Sequence, residues 1–109
     1  MPDFKTIPAP RPGLHIQYRA RVSAICSEGG APFSGELTVY YQTSDQMLEY
    51  ESFETWLREI SVDEETIESL AVRIHTALRG ALGEALGGID LAIETQVHGP
   101  VVVSVVDDA

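Results

Sequence analysis

The side chains best suited to chemistry are one thiol and two carboxylates. Cys26 is the only cysteine of the 109 residues and directly precedes the glycine-rich stretch SEGGAPFSG at 27–35. A cysteine at the start of such a loop can approach a ligand closely and act as a nucleophile when a neighbouring acid or base assists it. The alternative is that Cys26 is a small, buried apolar residue.

Glu49 and Glu64 are candidate ligand anchors. A carboxylate accepts two parallel hydrogen bonds from the ring N–H and the exocyclic amine of a guanine-like base. Tyr50 and Trp56 follow Glu49 closely and either sandwich such a base or belong to the core. The alternatives are that Glu49 is a solvated acid between a strand and a helix, and that Glu64 completes a helix capping box with Ser61.

Histidines give no sign of a metal centre. His15, His75 and His98 lie far apart in the sequence, and no pair has the spacing of metal ligands. Each is better explained as a surface or packing residue, so the sequence predicts no metal.

The charge is strongly acidic, with 7 basic and 17 acidic residues and a net charge of −10. Such a surface repels phosphate backbones, which disfavours nucleic acid as a partner. Arg19 and Arg21 alternate on one predicted strand and are the start of a local basic patch.

Length and hydropathy predict one cytoplasmic domain. A chain of 109 residues fits a single domain, 1–109. No apolar run of about 18 residues is present, so no membrane span is expected. The proline-rich residues 1–13 lack the apolar stretch of a signal peptide and are expected to form an extended arm.

Hydrophobic periodicity predicts two strands, two helices and two more strands. Alternation gives strands over 14–22 and 37–41, joined by a loop at 27–35, and later over 89–93 and 101–106. Helical spacing joins Phe53 to Ile60, and a second apolar stripe runs from Ile67 to Leu82. The second helix is expected to begin at the Ser61–Glu64 box and to end at Gly87-Gly88.

The ββααββ order predicts an α+β fold, a four-stranded antiparallel sheet with two helices on one face. Such a sheet keeps two exposed edges. Joining sheets between subunits into a barrel removes those edges, so a homo-oligomer is expected.

Three stretches in order resemble the nitrile reductases that reduce 7-cyano-7-deazaguanine in queuosine biosynthesis. CSEGGAPFSGELTVYY at 26–41 is similar to the family pattern C-P-x-T-G-x-P-D-F-G followed by a strand. EYESFETW at 49–56 resembles the signature E-S-K-S-x-K-x-Y, with Glu49 and Ser52 in place. FKTIPAP at 4–10 resembles the opening arm L-x-T-F-P-N-P.

The resemblance implies a tunnelling fold, in which subunits form a ring and sites lie between neighbours. It also implies that Cys26 attacks the nitrile carbon to form a covalent thioimide. By the same resemblance Glu49 and Glu64 anchor the deazaguanine ring, and Ser52 belongs to the substrate-binding signature.

Two departures bear on the reaction. The family's proton-donating aspartate is replaced by Phe33, with Glu28 and Glu36 as nearby candidate acids. The two signature lysines, which resemble binders of the cofactor's phosphates, are Glu51 and Glu54 here. Carboxylates repel phosphates, so binding of NADPH is disfavoured.

Three functions are compatible with these residues. The first is a nitrile reductase-like enzyme that forms the Cys26 thioimide. The second is similar to the sister group in the family, amidinotransferases that add ammonia to the nitrile on tRNA in archaeosine formation. The third is a non-catalytic tunnelling-fold protein that binds a purine- or pterin-like ring.

Overall fold

The structure, a computed structural model, describes residues 3–83, 86–96 and 99–107. The elements are β1 (Thr6–Pro8), β2 (His15–Cys26), β3 (Pro32–Gln42), β4 (Gln46–Leu48), α1 (Tyr50–Ile60), β5 (Glu64–Glu65), α2 (Ile67–Leu82), β6 (Leu86–Thr95) and β7 (Val101–Val105). The long strands and the helices follow one another in the predicted order ββααββ, and three short strands, β1, β4 and β5, are added to it.

The main sheet has the strand order β5-β2-β3-β6-β7. Strands β2, β3, β6 and β7 form the predicted antiparallel sheet of four, which is confirmed. Two features were not predicted. Strand β5 pairs in parallel with the last two residues of β2, and β1 pairs with β4 in a separate two-stranded ladder.

One face of the sheet carries the core, and both helices lie on it, as predicted. Alternate residues of the strands point to this face because side chains in a strand alternate with a period of two. The buried residues of the sheet and of the helices form one hydrophobic cluster, which includes Val22, Leu37, Val39, Leu91 and Ile93 from the strands and Phe53, Leu57, Leu70, Ile74 and Leu78 from the helices. The opposite face is open and polar, with Arg19, Arg21, Glu36 and Glu94 exposed.

The β2–β3 connection is shorter than the predicted loop. Strand β3 begins at Pro32 rather than after 35, so only residues 27–31 form the connection. Phe33 pairs with Ala24, and Gly35 pairs with Val22. A side chain at Gly35 would place its Cβ 2.6 Å from the Glu94 carbonyl oxygen of the neighbouring strand. The glycine therefore permits close strand approach instead of marking a loop.

The helices confirm the apolar stripes but not the predicted ends. Ser61 caps the C-terminal end of α1, and α2 begins after Thr66, so the expected Ser61–Glu64 capping box is wrong. Helix α2 ends at Gly83, whose positive φ of 67° suits glycine, while Gly87 and Gly88 lie in β6. Among the residues described, no helix combines the length and apolar character that crossing a bilayer requires.

The N-terminal arm is held against α1. Strand β1 pairs with β4, which leads directly into α1. The Phe4 ring packs edge-on against Phe53, with centroids 4.8 Å apart, and tilted against Trp56 at 5.2 Å. Phe4 and Trp56 are almost fully buried, so this tryptophan belongs to the core.

Asp107 ties the C-terminal end of the described chain to α2 and β6. Its carboxylate accepts hydrogen bonds from the Ile89 backbone N–H at 2.8 Å and from Arg79 at 2.9 Å. The His75 ring nitrogen Nε2 lies 3.0 Å from the same carboxylate and 2.9 Å from the Ile89 carbonyl oxygen. The Ile89 N–H, followed by the charges of His75 and Arg79, lowers the pKa of Asp107.

We expect Asp107→Asn to lower the free energy of unfolding by about 1–3 kcal/mol at neutral pH, because a charged acceptor of several hydrogen bonds is lost. The folded-state pKa of Asp107 is depressed, so its contribution is present above the unfolded pKa of about 3.9 and disappears as the pH falls through the lower folded value. Urea unfolding across that range measures the difference. Glu59→Gln, an exposed acid on α1, is the matched control, and an equal loss in both variants would contradict the role of Asp107.

Candidate functional site

Cys26 lies at the edge of a pocket of about 250 Å³. The thiol belongs to the last residue of β2 and is half-buried. The pocket lies at the end of the sheet, beneath the start of α2. Its lining is mostly apolar and consists of Cys26, Glu28, Phe33, Thr66, Ile67, Glu68, Thr95 and Val101.

Strand register brings these residues together. Cys26 is two residues from Ala24, which is buried on the helix-covered face, so the thiol points to the same face. Phe33 pairs with Ala24 and points the same way. Thr95 and Val101 are paired at the corresponding ends of β6 and β7. The pocket therefore collects the ends of four strands on the face that the helices cover.

The first turn of α2 forms another wall. Thr66 caps the helix: its hydroxyl accepts the Ser69 N–H at 3.0 Å, and the Ser69 hydroxyl accepts the Thr66 N–H at 3.0 Å. Leu70 donates its N–H to the Thr66 carbonyl. Within the described residues, no protein acceptor meets the N–H groups of Ile67 and Glu68. A helix start with free N–H groups favours negative charge that develops beside it.

The two charged side chains that the described residues bring to the pocket are both acidic. Glu28 follows Cys26 by two residues, and Glu68 lies in the first turn of α2. Of the two acids expected near the thiol, only Glu28 reaches the pocket, because Glu36 is exposed on the opposite face, paired with Arg21. Sequence reasoning missed Glu68. The only signal in the sequence was that Glu68 follows the cap of α2. The capping box was predicted at Ser61, five residues before the actual cap at Thr66.

Phe33 forms an apolar part of the wall. The resemblance to nitrile reductases places the family's acid at this position. Phe33 packs against the hydrophobic core and also lines the Cys26 pocket. Because a phenyl ring has no proton to give, the carboxylates of Glu28 and Glu68 are the candidate proton-transfer groups beside the thiol among the described residues.

Glu64 is near Cys26 in the backbone but does not line the pocket. It pairs with Ile25, and Glu65 pairs with Cys26. Paired residues point to the same side of a sheet, so Glu64 is directed to the face opposite the thiol. Glu65 is on the thiol's face, but its carboxylate is held by Arg73 at 3.0 Å and by the Ser69 hydroxyl. Glu64 is exposed and has no such partner among the described residues.

Glu49 and Ser52 lie together at the opposite end of α1. The Glu49 carboxylate caps this helix by accepting the Ser52 N–H at 2.6 Å, and this hydrogen bond lowers the pKa of Glu49. The Ser52 hydroxyl accepts the Lys5 N–H at 2.9 Å. Since the 11 residues of α1 span about 16 Å, Glu49 and Cys26 of one chain do not meet.

Glu54 borders a groove between α1 and the outer edge of β2. Burial, and then the hydrogen bond to Glu54, raise the pKa of Tyr18 far above its usual range. The Tyr18 ring stacks on Tyr50 with centroids 4.8 Å apart. The groove has a volume of about 420 Å³ and includes Arg19, Arg21 and Arg58 in its lining. Glu51 is exposed in the first turn of the same helix.

The histidines have separate places. His75 is buried against Asp107 and Ile89, and His15 is exposed at the start of β2. His98 lies outside the described residues. In the part of the chain that the structure describes, no three His, Cys, Asp or Glu side chains are grouped as metal ligands are.

No protein-family model matches the sequence, and no curated protein sequence is significantly similar to it. Among solved structures, the chain superposes on the crystal structure of the archaeosine synthase QueF-Like in its apo form with a TM-score of 0.77. The match covers 84% of this chain and 90% of that one, at 20% sequence identity. This chain has a tunnelling fold. At that identity the likeness extends to the architecture, which confirms the predicted fold class, and the activity has to be argued from the site.

The cap of α2 gives a direct test of how the pocket wall is built. We expect Thr66→Ala to lower the free energy of unfolding by about 1 kcal/mol, because the Ser69 N–H loses its acceptor. Thr66→Ser keeps the hydroxyl and should retain most of that stability. Thermal or urea unfolding followed by circular dichroism measures both. A loss as large in Thr66→Ser as in Thr66→Ala would show that the cap is not the cause.

Proposed function

We propose that this protein is an enzyme of deazapurine metabolism that binds a 7-cyano-7-deazaguanine-like base and forms a thioimide between its nitrile carbon and Cys26. The observation that carries the proposal is the position of Cys26 in an apolar pocket of base-like size on a tunnelling fold. The three sequence stretches that resemble nitrile reductases support it independently of the fold.

The arrangement of the pocket supports attack on an electrophilic carbon. The half-buried thiol is accessible from the pocket, and the free N–H groups at the start of α2 favour the negative charge that develops on the nitrile nitrogen. Phe33 and Ile67 offer apolar surface to a planar ring. These features supply a nucleophile, an electrostatic stabiliser and a binding surface, which is the minimum for covalent catalysis.

The ring anchors are proposed to come from more than one chain. Glu49 with Ser52 and the Cys26 pocket are at opposite ends of α1, and Glu64 points away from its own pocket. The outer edge of β2 from His15 to Ala24 and the outer edge of β7 have no partner strand among the described residues. A homo-oligomeric ring that joins these edges satisfies both, and Glu49 is proposed to serve the pocket of another subunit.

The direction of the strands favours such a junction. Within one chain β2 and β7 run antiparallel to each other, so a neighbour's β2 continues the sheet beside β7 in the antiparallel sense. The end of that β2, with β5 and Glu64, then lies at the same end as Val101. Val101 is on the border of the Cys26 pocket, so the neighbour's Glu64 lies at the same end of the joined sheet as that pocket, on its open face.

Reduction by a nicotinamide dinucleotide is not part of the proposal. The positions at which the family carries lysines hold Glu51, which is exposed, and Glu54, whose carboxylate meets the Tyr18 hydroxyl. Both carboxylates repel phosphates. We therefore assign no step to such a cofactor.

Two alternatives share the fold. An amidinotransferase that adds ammonia to the thioimide is favoured by the archaeosine synthase described above, whose fold this chain shares. A non-catalytic protein that binds a purine- or pterin-like ring is favoured by Phe33, which removes the expected acid from the pocket. The amidinotransferase shares the Cys26 thioimide with the main proposal, whereas the non-catalytic protein forms none. A measurement of the covalent adduct therefore separates both enzymes from the binding protein.

Incubation with 7-cyano-7-deazaguanine should increase the intact mass of the protein by the mass of one base, because addition of a thiol to a nitrile loses no atoms. Denaturing mass spectrometry at short times measures the adduct. Cys26→Ala should form none. If the wild-type protein forms neither an adduct nor a product, both enzymatic functions are wrong and ring binding without catalysis is favoured.

Glu49→Gln should weaken binding of the base by about 10-fold or more, because a neutral amide cannot accept both hydrogen bonds of the ring. Isothermal titration with the Cys26→Ala background avoids covalent trapping. The substitution also weakens the α1 cap, so Ser61→Ala, which removes the 2.6 Å hydrogen bond at the other end of the helix, is the control. Unchanged affinity in Glu49→Gln would remove this residue from the site.

A further inference from the structure

We propose that water discharges the Cys26 thioimide, so that the protein hydrates its nitrile substrate to a primary amide. This inference rests on the proposed thioimide and concerns the fate of that intermediate. The observation behind it is the combination of charges that the described residues bring to the pocket: two carboxylates, no basic side chain and no acid at Phe33. Carboxylates of this kind can act as a general base toward water. They do not favour binding of a phosphate-bearing hydride donor, and the family's general acid is missing.

The carboxylates are placed to activate water. Glu28 and Glu68 line the same pocket as the thiol, one from the turn after β2 and one from the first turn of α2. Both side chains are exposed, so they are in contact with solvent and neither is held in an ion pair within the described residues. A carboxylate beside an electrophilic carbon removes a proton from water as the oxygen attacks.

Access of water also distinguishes this pocket from one that delivers hydride or ammonia to the thioimide. An enzyme that delivers hydride or ammonia to a reactive intermediate must keep water from it. Cys26 is only half-buried, and Glu28 and Glu68 beside it are exposed, so this pocket is not sealed from water within its own subunit. The thioimide would thus form beside two carboxylates that can act as a base.

The atoms balance without an oxidant or a reductant. The thiol adds across the nitrile, with sulfur bonding to carbon and the proton passing to nitrogen. Water then adds to the same carbon: its oxygen bonds to carbon, and a proton moves through Glu28 or Glu68 to the nitrogen. The resulting tetrahedral carbon carries sulfur, hydroxyl and amino groups.

Collapse of this carbon breaks the carbon–sulfur bond. The electron pair leaves on sulfur, and the hydroxyl proton returns to it by way of a carboxylate, which regenerates the thiol. Release of ammonia instead would require a second proton on nitrogen. The aspartate that is expected to give this proton is replaced here by Phe33. One nitrile and one water therefore become one primary amide.

The test uses the full chain with 7-cyano-7-deazaguanine in water enriched in ¹⁸O, without NADPH or ammonia. Mass spectrometry of the small molecules should show the substrate plus one labelled water, and intact mass should show the protein adduct as a transient. Replacing both acids, as Glu28→Gln with Glu68→Gln, should slow product release about 100-fold while the adduct accumulates. Glu59→Gln, an exposed acid on α1, should leave both rates unchanged.

Several results would overturn the inference. An adduct that persists until NADPH or ammonia is added would leave the proposed thioimide standing but refute hydration. A labelled carboxylic acid with free ammonia would show that nitrogen, not sulfur, leaves. Equal product release by the double variant and the wild type would remove the carboxylates as bases. The absence of both adduct and product would instead refute the proposed function itself.

Discussion

The two-residue parallel bridge between β5 and the end of β2 is the constraint on which the site depends. It holds Glu64 and Glu65 against Ile25 and Cys26, and the chain then enters α2 directly at the Thr66 cap. Arg73 reinforces the junction by bonding to Asp63 at 2.8 Å and to Glu65 at 3.0 Å. Without this bridge, the start of α2 would not lie over the end of the sheet, and Cys26 would not face a helix start.

Charge organises the rest of the molecule. The arginines of α2 are used in structure: Arg73 anchors β5, and Arg79 helps to hold Asp107. The remaining arginines near β2 border the groove beside α1 rather than the Cys26 pocket. Among the described residues, the thiol therefore lies beside apolar and acidic side chains and beside no cation.

The elements with strong periodicity could be predicted from the sequence, and those fixed by contacts between distant residues could not. Alternation in β2, β3, β6 and β7 and the apolar stripes of α1 and α2 were sufficient to predict these four strands and two helices. Strand β5 consists of two glutamates in an acidic run and has no period to detect. Gly35 resembles a loop residue, and only its contact with Glu94 explains why a strand needs it. The double glycine at 87–88 was a stronger local signal than Gly83, yet it lies in a strand.

The candidate site follows the same division. Cys26, Glu28 and Phe33 are close in sequence, so their proximity could be expected from a hairpin. Glu68 joins them only because of the bridge at β5, which no local pattern reveals. The separation of Glu49 from Cys26 depends on the length and direction of α1. Because of it, the proposed anchor and the proposed nucleophile are not neighbours in one chain.

The uncovered edge of β2 has a consequence for handling the protein. Along the ten residues from His15 to Ala24, every second residue directs its backbone N–H and C=O away from β3 to this border. An isolated chain in dilute solution offers this border to any extended peptide, including a partly unfolded copy of itself. Mild denaturants, which partly unfold other copies, would therefore promote irregular association at this border.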